Sequence, residues 1–211
     1  MNKMDWMDMS LRDFQSALAS SSPTPGGGTA SAIALGQAAA LTCMVADLTI
    51  GKEKWKDGWV CAEEAQLVAI KIFSQAGTLA KEDSDSFDSV MDCFKLPKAT
   101  EEEIEVRKNA IRNATLKAAL VPFQTAELAY QLLEVLPDLA HKGNANAVSD
   151  VGVASLLASA AAKGALFNVD INISSLPSEM IGDLDVKSKE LLEKSRVLSK
   201  ESLKIVRERL N

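Results

Sequence analysis

The chain has 211 residues, 47% of them hydrophobic, enough for one substantial core. Charged residues make up 25% and the formal net charge is −6, so the basic face that nucleic-acid binding needs is missing. The one histidine, His141, excludes a multi-His metal site within the chain and argues against a His-based triad.

No long apolar run follows Met1, where Asp5, Trp6 and Asp8 come early, so no secretory signal is expected and the cytosol is the expected location. Ser10 is placed to cap a first helix from Leu11 to about Ala19. The segment 20–28, with Pro23, Pro25 and the run Gly26-Gly27-Gly28, cannot be regular helix. Thr29 to Ile50 reads as a long helix stopped at Gly51. A charged, aromatic bend follows, with Lys52, Lys54, Trp55, Lys56 and Trp59.

A third helix is expected from Val60 to Phe94, ending before Pro97. Thr100 and Glu103 match a capping box for a fourth, which reaches Val121. Pro122 kinks or breaks it, and a continuation runs to about Leu136. Gly143-Asn144 marks a turn, and Asn146 to Phe167 a fifth helix. Asn168 to Pro177 reads as irregular, with Val169 to Ile173 the one strand candidate. A charged final helix spans Ser178 to Arg209. Cys43, Cys61 and Cys93 fit no metal-ligand spacing and read as reduced core thiols.

The expected fold is all-α: one helical bundle over 1–211, with two central Ala/Gly-rich helices. Thr29 to Ala46 and Ala147 to Gly164 are apolar nearly all round, which places a helix in a bundle interior or a membrane. Gln37, Asp47, Asp150 and Lys163 interrupt them, so no membrane span is expected. Their small side chains allow close backbone approach, and part of this surface is expected to meet a second copy, giving a homodimer.

Three features carry possible chemistry. The third helix has a stripe at spacings of three and four: Ala69, Ile72, Ala76, Leu79, Asp83, Phe87, Val90, Phe94. Asp83 on that stripe is either a structural carboxylate held by a helix end or cation, or a proton-transferring group with a raised pKa. Asn146, Ser149 and Asp150 share one face at the start of the fifth helix, preceded by Asn144. They are either ordinary caps or a polar site. The run Gly26-Gly27-Gly28 is a tight turn, or a wall whose free N–H groups meet an anion or oxyanion. It matches neither GxGxxG nor a Walker loop. Lys52 and Lys54 read as a solvated loop or as partners for a carboxylate-rich ligand tail. His141, near a helix C-terminus, suits the dipole there.

Taken in order, several motifs resemble the cyclodeaminase/cyclohydrolase family of folate enzymes. They are Ser22-Pro23-Thr24-Pro25-Gly26-Gly27-Gly28, Met44 to Lys52, Asp83-Ser84-Asp85-Ser86-Phe87, Leu96-Pro97-Lys98, Val121-Pro122, Gly143 to Asp150, and Asn168 to Ile173. The resemblance implies a helical homodimer acting on a one-carbon unit carried by tetrahydrofolate, with no metal and no tightly bound cofactor. The implied reaction is conversion of 5-formimidoyltetrahydrofolate to 5,10-methenyltetrahydrofolate with release of ammonia. The alternative is hydrolysis of 5,10-methenyltetrahydrofolate to 10-formyltetrahydrofolate. A non-catalytic folate-binding or scaffold protein is the alternative from a different class. In this frame Asp83 is the candidate for proton transfer, with Asp150 second or binding the pterin amino edge. Asn144, Asn146 and Ser149 would orient the ligand, Gly26, Gly27 and Gly28 would wall the pocket, and Lys52 and Lys54 would meet the glutamate tail.

Overall fold

The computed structural model describes residues 5–211; Met1 to Met4, part of the start read above for a signal, lie outside the described residues. Seven α-helices and three short 3-10 turns make up the structure, and no strand occurs among the described residues. Helix α1 spans Leu11–Leu18, and its Ser10 cap accepts from the Asp13 N–H as expected. Helix α2 spans Gly27–Thr49, so two glycines of the run lie inside its first turn. A 3-10 turn at Glu53–Gly58 leads into α3, Trp59–Cys93.

Helix α4 departs from expectation. It runs unbroken from Glu101 to Lys142, through Pro122 and Pro137, behind the expected Thr100–Glu103 capping box. A proline inside a helix removes the bond to the carbonyl four residues back. For Pro122 that carbonyl belongs to Ala118, which is nearly buried and needs another donor. Asn172 supplies it, its Nδ2 donating to Ala118 O at 3.0 Å. A side chain from another helix thus takes over the missing bond, and of the kink or break that the sequence suggested, the break does not occur.

Asn172 can do this because α5, Val148–Ile173, stays helical through its last residues. The expected irregular stretch from Asn168, and the strand candidate 169–173, are instead the final turns of this helix. Val169 and Ile173 fall on its buried side, against Ala119 and Leu166. The final helix is also split. Gly182, at φ 54, closes a one-turn α6 (Ser178–Ile181) before α7 (Leu184–Leu210). That left-handed angle is costly for any residue with a Cβ.

Helices α2, α3, α4 and α5 form a ring in which each packs on two neighbours, and α7 lies across α4 and α5. The two small-residue helices do meet: α2 and α5 pack together, with Ala32, Leu35, Ala39, Ala158 and Ala162 fully buried in the shared core. Helix α7 closes the outer side with a stripe of small residues, Ser188, Ser195, Ser199 and Ser202, between Leu184 and Val206. By length and composition α2 and Ala145–Ile173 would each cross a membrane, yet they are the paired inner helices. Only 50% of the apolar window of each is buried, so apolar surface remains on their outer sides.

Candidate functional site

Helices α2 and α5 run antiparallel, which brings the first turn of α2 beside the last turns of α5; a Cβ built on Gly27 would lie 3.6 Å from Asn168 Nδ2. The C-terminal third of α3 passes the same place. A cavity of about 240 Å³ opens there. One wall is Pro23, Thr24 and the run Gly26-Gly27-Gly28. Helix α3 contributes Asp83, Ser86, Phe87 and Val90, and Asn168 and Asn172 close the side toward Ala118 of α4.

The α3 stripe changes character at Asp83. Ala69, Ile72, Ala76 and Leu79 are buried as expected. Beyond them the core face rotates to Ala80 and Ser84, while Phe87 and Phe94 emerge at 39% and 49% exposure. The stripe therefore leaves the core at Asp83, where Phe87 and Val90 form the cavity's apolar side.

Asp83 is largely buried and lies against the start of α2. That helix begins at Gly26 with no side-chain cap of its own. Asp83, from another helix, meets that start through Thr29, whose Oγ1 donates to Asp83 Oδ2 at 3.0 Å and whose backbone also hydrogen-bonds the carboxylate. The fit requires glycine at 28, since a Cβ there would lie 2.1 Å from Asp83 Oδ1. Burial raises the Asp83 pKa above the ordinary carboxylate range, opposed by the side-chain and backbone hydrogen bonds from Thr29. Among the described residues no cation lines the cavity. Lys81 on the same helix pairs with Asp85 instead.

Most of the remaining polar side chains have committed donors. Ser86 donates its hydroxyl to Asp83 O at 2.8 Å. Asn172 uses both amide hydrogens, on Ala118 O and on Asn168 O at 2.9 Å. Asn168 donates to Gly164 O at 2.8 Å. Both amides face backbone carbonyls, which fixes their orientation. Ser86 and Asn172 therefore retain only acceptor capacity, which suits N–H groups or positive charge on a ligand, while the second Asn168 amide hydrogen and the first-turn N–H groups of α2 remain as donors.

Sequence reading placed Asp83 and the glycine run at this site but missed Thr29, Ser86, Asn168 and Asn172. The signal for the two asparagines was their spacing of four, one helical turn, hidden by reading 168–177 as irregular.

The other expected site residues gather at the far end of α2, about 33 Å away along a 23-residue helix. Asn144 ties the α4–α5 turn to that end, its N–H donating to Thr49 Oγ1 and its Nδ2 to Leu48 O. Its Oδ1 accepts from the Asn146 N–H at 2.9 Å, a capping bond. Asn146 and Ser149 are exposed and Asp150 half-buried at the start of α5. Lys52 and Lys54 are exposed nearby, with Lys54 Nζ 4.8 Å from the Trp55 ring centroid. Within one chain these residues cannot touch a ligand held by Asp83. His141 lies in the last turn of α4, exposed. Among the described residues no group of three His, Cys, Asp or Glu is placed to hold a metal ion.

Residues 10–189 match the family model described as Formiminotransferase-cyclodeaminase. The chain belongs to this family. It is 35% identical over 208 residues to the methenyltetrahydrofolate cyclohydrolase of Methylorubrum extorquens, covering 95% of this chain and 97% of that one. It is 32% identical to the mouse formimidoyltransferase-cyclodeaminase over 178 residues, which are 82% of this chain but 32% of that longer protein. The crystal structure of formiminotetrahydrofolate cyclodeaminase from Thermotoga maritima superposes with a TM-score of 0.79 at 28% identity, covering 97% and 96% of the two chains.

Proposed function

We propose that the chain is a folate one-carbon enzyme acting on the unit that bridges N5 and N10 of tetrahydrofolate, with Asp83 transferring the proton. The observation that carries this reading is the Asp83 carboxylate, buried with a raised pKa in a cavity that offers mainly hydrogen-bond acceptors from its side chains. Such a cavity suits an amidine or amidinium bridge, which brings N–H groups or positive charge. A raised carboxylate pKa approaches the range in which one group both takes and returns a proton. Closure of the formimidoyl unit to the methenyl bridge with loss of ammonia requires a proton on the leaving nitrogen. Opening of the methenyl bridge requires one removed from the attacking water. Asp83 serves either step as acid or base.

The ammonia-releasing reaction is the first reading, supported by the likeness to the Thermotoga maritima protein over nearly the whole chain. Ring opening is the second, supported by 35% identity to a cyclohydrolase across 97% of its length. Each folate supplied separately, with methenyl absorbance and ammonia followed, tests both. Release of ammonia from 5-formimidoyltetrahydrofolate supports the first; methenyl opening without formimidoyl turnover selects the second. Loss of both activities from the folded wild type, with no thermal shift on folate addition, refutes the folate reading.

A homodimer is part of the proposal. Met44 and Leu48 are exposed beside Phe73, around a shallow groove with Ala40 and Cys43. Lys52, Lys54, Asn144, Asn146, Ser149 and Asp150 join the Asp83 site only if the second copy brings its end of α2 to it. Sedimentation velocity checks the dimer. We also place the protein in the cytosol, with which its three free cysteines agree.

A further inference from the structure

Asp83 is the last member of a hydrogen-bond chain that starts outside the cavity. Trp6 Nε1 donates to Ser84 Oγ at 3.0 Å. Ser84 Oγ lies 2.9 Å from Thr29 Oγ1, and Thr29 donates to Asp83 Oδ2. Ser84 and Thr29 are buried at 1% and 0% exposure, so water does not compete.

The chemistry of the first member sets the direction. An indole N–H donates and cannot accept. Ser84 therefore accepts from Trp6 and has its hydrogen free for Thr29, whose own hydrogen goes to the carboxylate. Reversing the chain would leave the Ser84 hydrogen without an acceptor among its hydrogen bonds, and a buried unpaired donor is costly. Oδ2 of Asp83 is thus held as an acceptor whether or not the carboxyl is protonated. The other oxygen, Oδ1, lies against Gly28, which lines the cavity.

We propose that Trp6, Ser84 and Thr29 are positioning residues that lock Oδ2 of Asp83 as an acceptor, so that the exchanging proton is carried by Oδ1 on the cavity side. None of the three needs to touch substrate. The assignment of the exchanging proton to turnover rests on the folate reading above; the lock itself does not. The charged groups next to Asp83 along α3 are Lys81, Glu82 and Asp85, and Lys81 interacts with Asp85, Asp5 and Glu82; the shift of Asp83 itself comes from burial and Thr29. The residues of α2, α4 and α5 that line the cavity carry no charge.

The test is titration of the Asp83 carboxyl by carbon NMR, its signal assigned by its absence from Asp83→Asn, alongside the pH profile of turnover. Thr29→Val removes the hydroxyl donor to Oδ2 and leaves the Thr29 backbone hydrogen bond, and the Asp83 ionisation moves up by about one pH unit, the scale of one hydrogen bond to a charged group. Thr29→Ser restores it. Trp6→Phe keeps the ring beside Phe14 but frees the direction, and gives a smaller upward move with kcat lowered more than KM is changed. If Thr29→Val does not fold, Trp6→Phe and Thr29→Ser carry the same comparison. A titration unmoved by Thr29→Val and Trp6→Phe in folded protein overturns the lock, whatever the wild type turns over. A titration that moves as stated in a protein inactive on both folates upholds the lock and refutes the folate reading.

Discussion

The sharpest perturbation of the site is a single methyl group at Gly28. A Cβ there would stand 2.1 Å from Asp83 Oδ1, 2.6 Å from Cγ and 2.7 Å from Oδ2. Ordinary contact begins near 3.4 Å, so the carboxylate must retreat by more than 1 Å. A displacement of that size at a reacting group costs on the order of 100-fold in rate. Helix α2 itself has no objection to alanine, which is favoured over glycine by roughly 1 kcal/mol in a helix interior. Gly28→Ala should therefore stay folded and lose about 100-fold in kcat. The neighbouring glycines provide the control. A Cβ would meet Asn168 Nδ2 at 3.6 Å from Gly27 and Pro23 O at 3.7 Å from Gly26, both ordinary contacts. Both alanine variants should lose far less than Gly28→Ala. The assay is initial-rate methenyl absorbance, with circular dichroism to verify folding. A folded Gly28→Ala within three-fold or so of wild type would refute the placement of Asp83 at the reacting atoms.

Asp83→Asn keeps an oxygen for Thr29 but cannot exchange a proton, so turnover should fall by about 10²–10⁴-fold. The same variant should melt higher at neutral pH. Burial raises the folded pKa, so the stability that protonated Asp83 contributes is present below the unfolded carboxylate pKa and lost as pH rises through the folded one. The melting-temperature gap between variant and wild type should accordingly narrow on acidification; a gap that widens refutes the sign. Asn172→Ala orphans the nearly buried Ala118 carbonyl and should cost about 1–3 kcal/mol in denaturant unfolding. In the Pro122→Ala background the restored backbone N–H can serve that carbonyl, so the cost of Asn172→Ala should shrink by roughly 1 kcal/mol. Additive costs would break the link between the proline and the asparagine.

Periodicity and capping carried the fold from sequence with few errors, because long amphipathic and small-residue helices announce themselves locally. The Thr100–Glu103 box and the α2–α5 pairing are of this kind. The errors came where a distant residue altered a local rule. Pro122 signals a break until Asn172, 50 positions later, satisfies its orphaned carbonyl. Asn168 and Asn172 disfavour a helix until backbone carbonyls fix their side chains. The site shows the same division. Asp83 was legible because a carboxylate on an apolar stripe violates the pattern around it. Thr29 and Ser84 were not, because small polar residues fit a core helix without conflict. Which polar groups share a site depends on the antiparallel packing of α2 and α5, and this divides the expected residues between the two ends of one helix.

That division leaves Asp83 as the only ionisable group lining its cavity among the described residues, with a consequence for turnover. The net shift is upward, so desolvation outweighs the side-chain and backbone hydrogen bonds from Thr29. Among the described residues none lining the cavity offers a compensating cation, whereas a methenyl bridge carries one, since its carbon is shared between two nitrogens with one positive charge. On the ring-opening reading proposed above, binding that cation beside Asp83 would lower its pKa and produce the ionised base when substrate is present. Opening the bridge would remove the charge, so the pKa would rise again and the carboxyl would hold the proton taken from water. The ionisation seen in kcat, which reports the bound enzyme, should lie below that seen in kcat/KM, which reports the free enzyme. Parallel pH profiles with 5,10-methenyltetrahydrofolate measure both. Coincident values would mean that the bridge does not bind beside Asp83, and the carboxylate would then be the helix cap of α2 and nothing more.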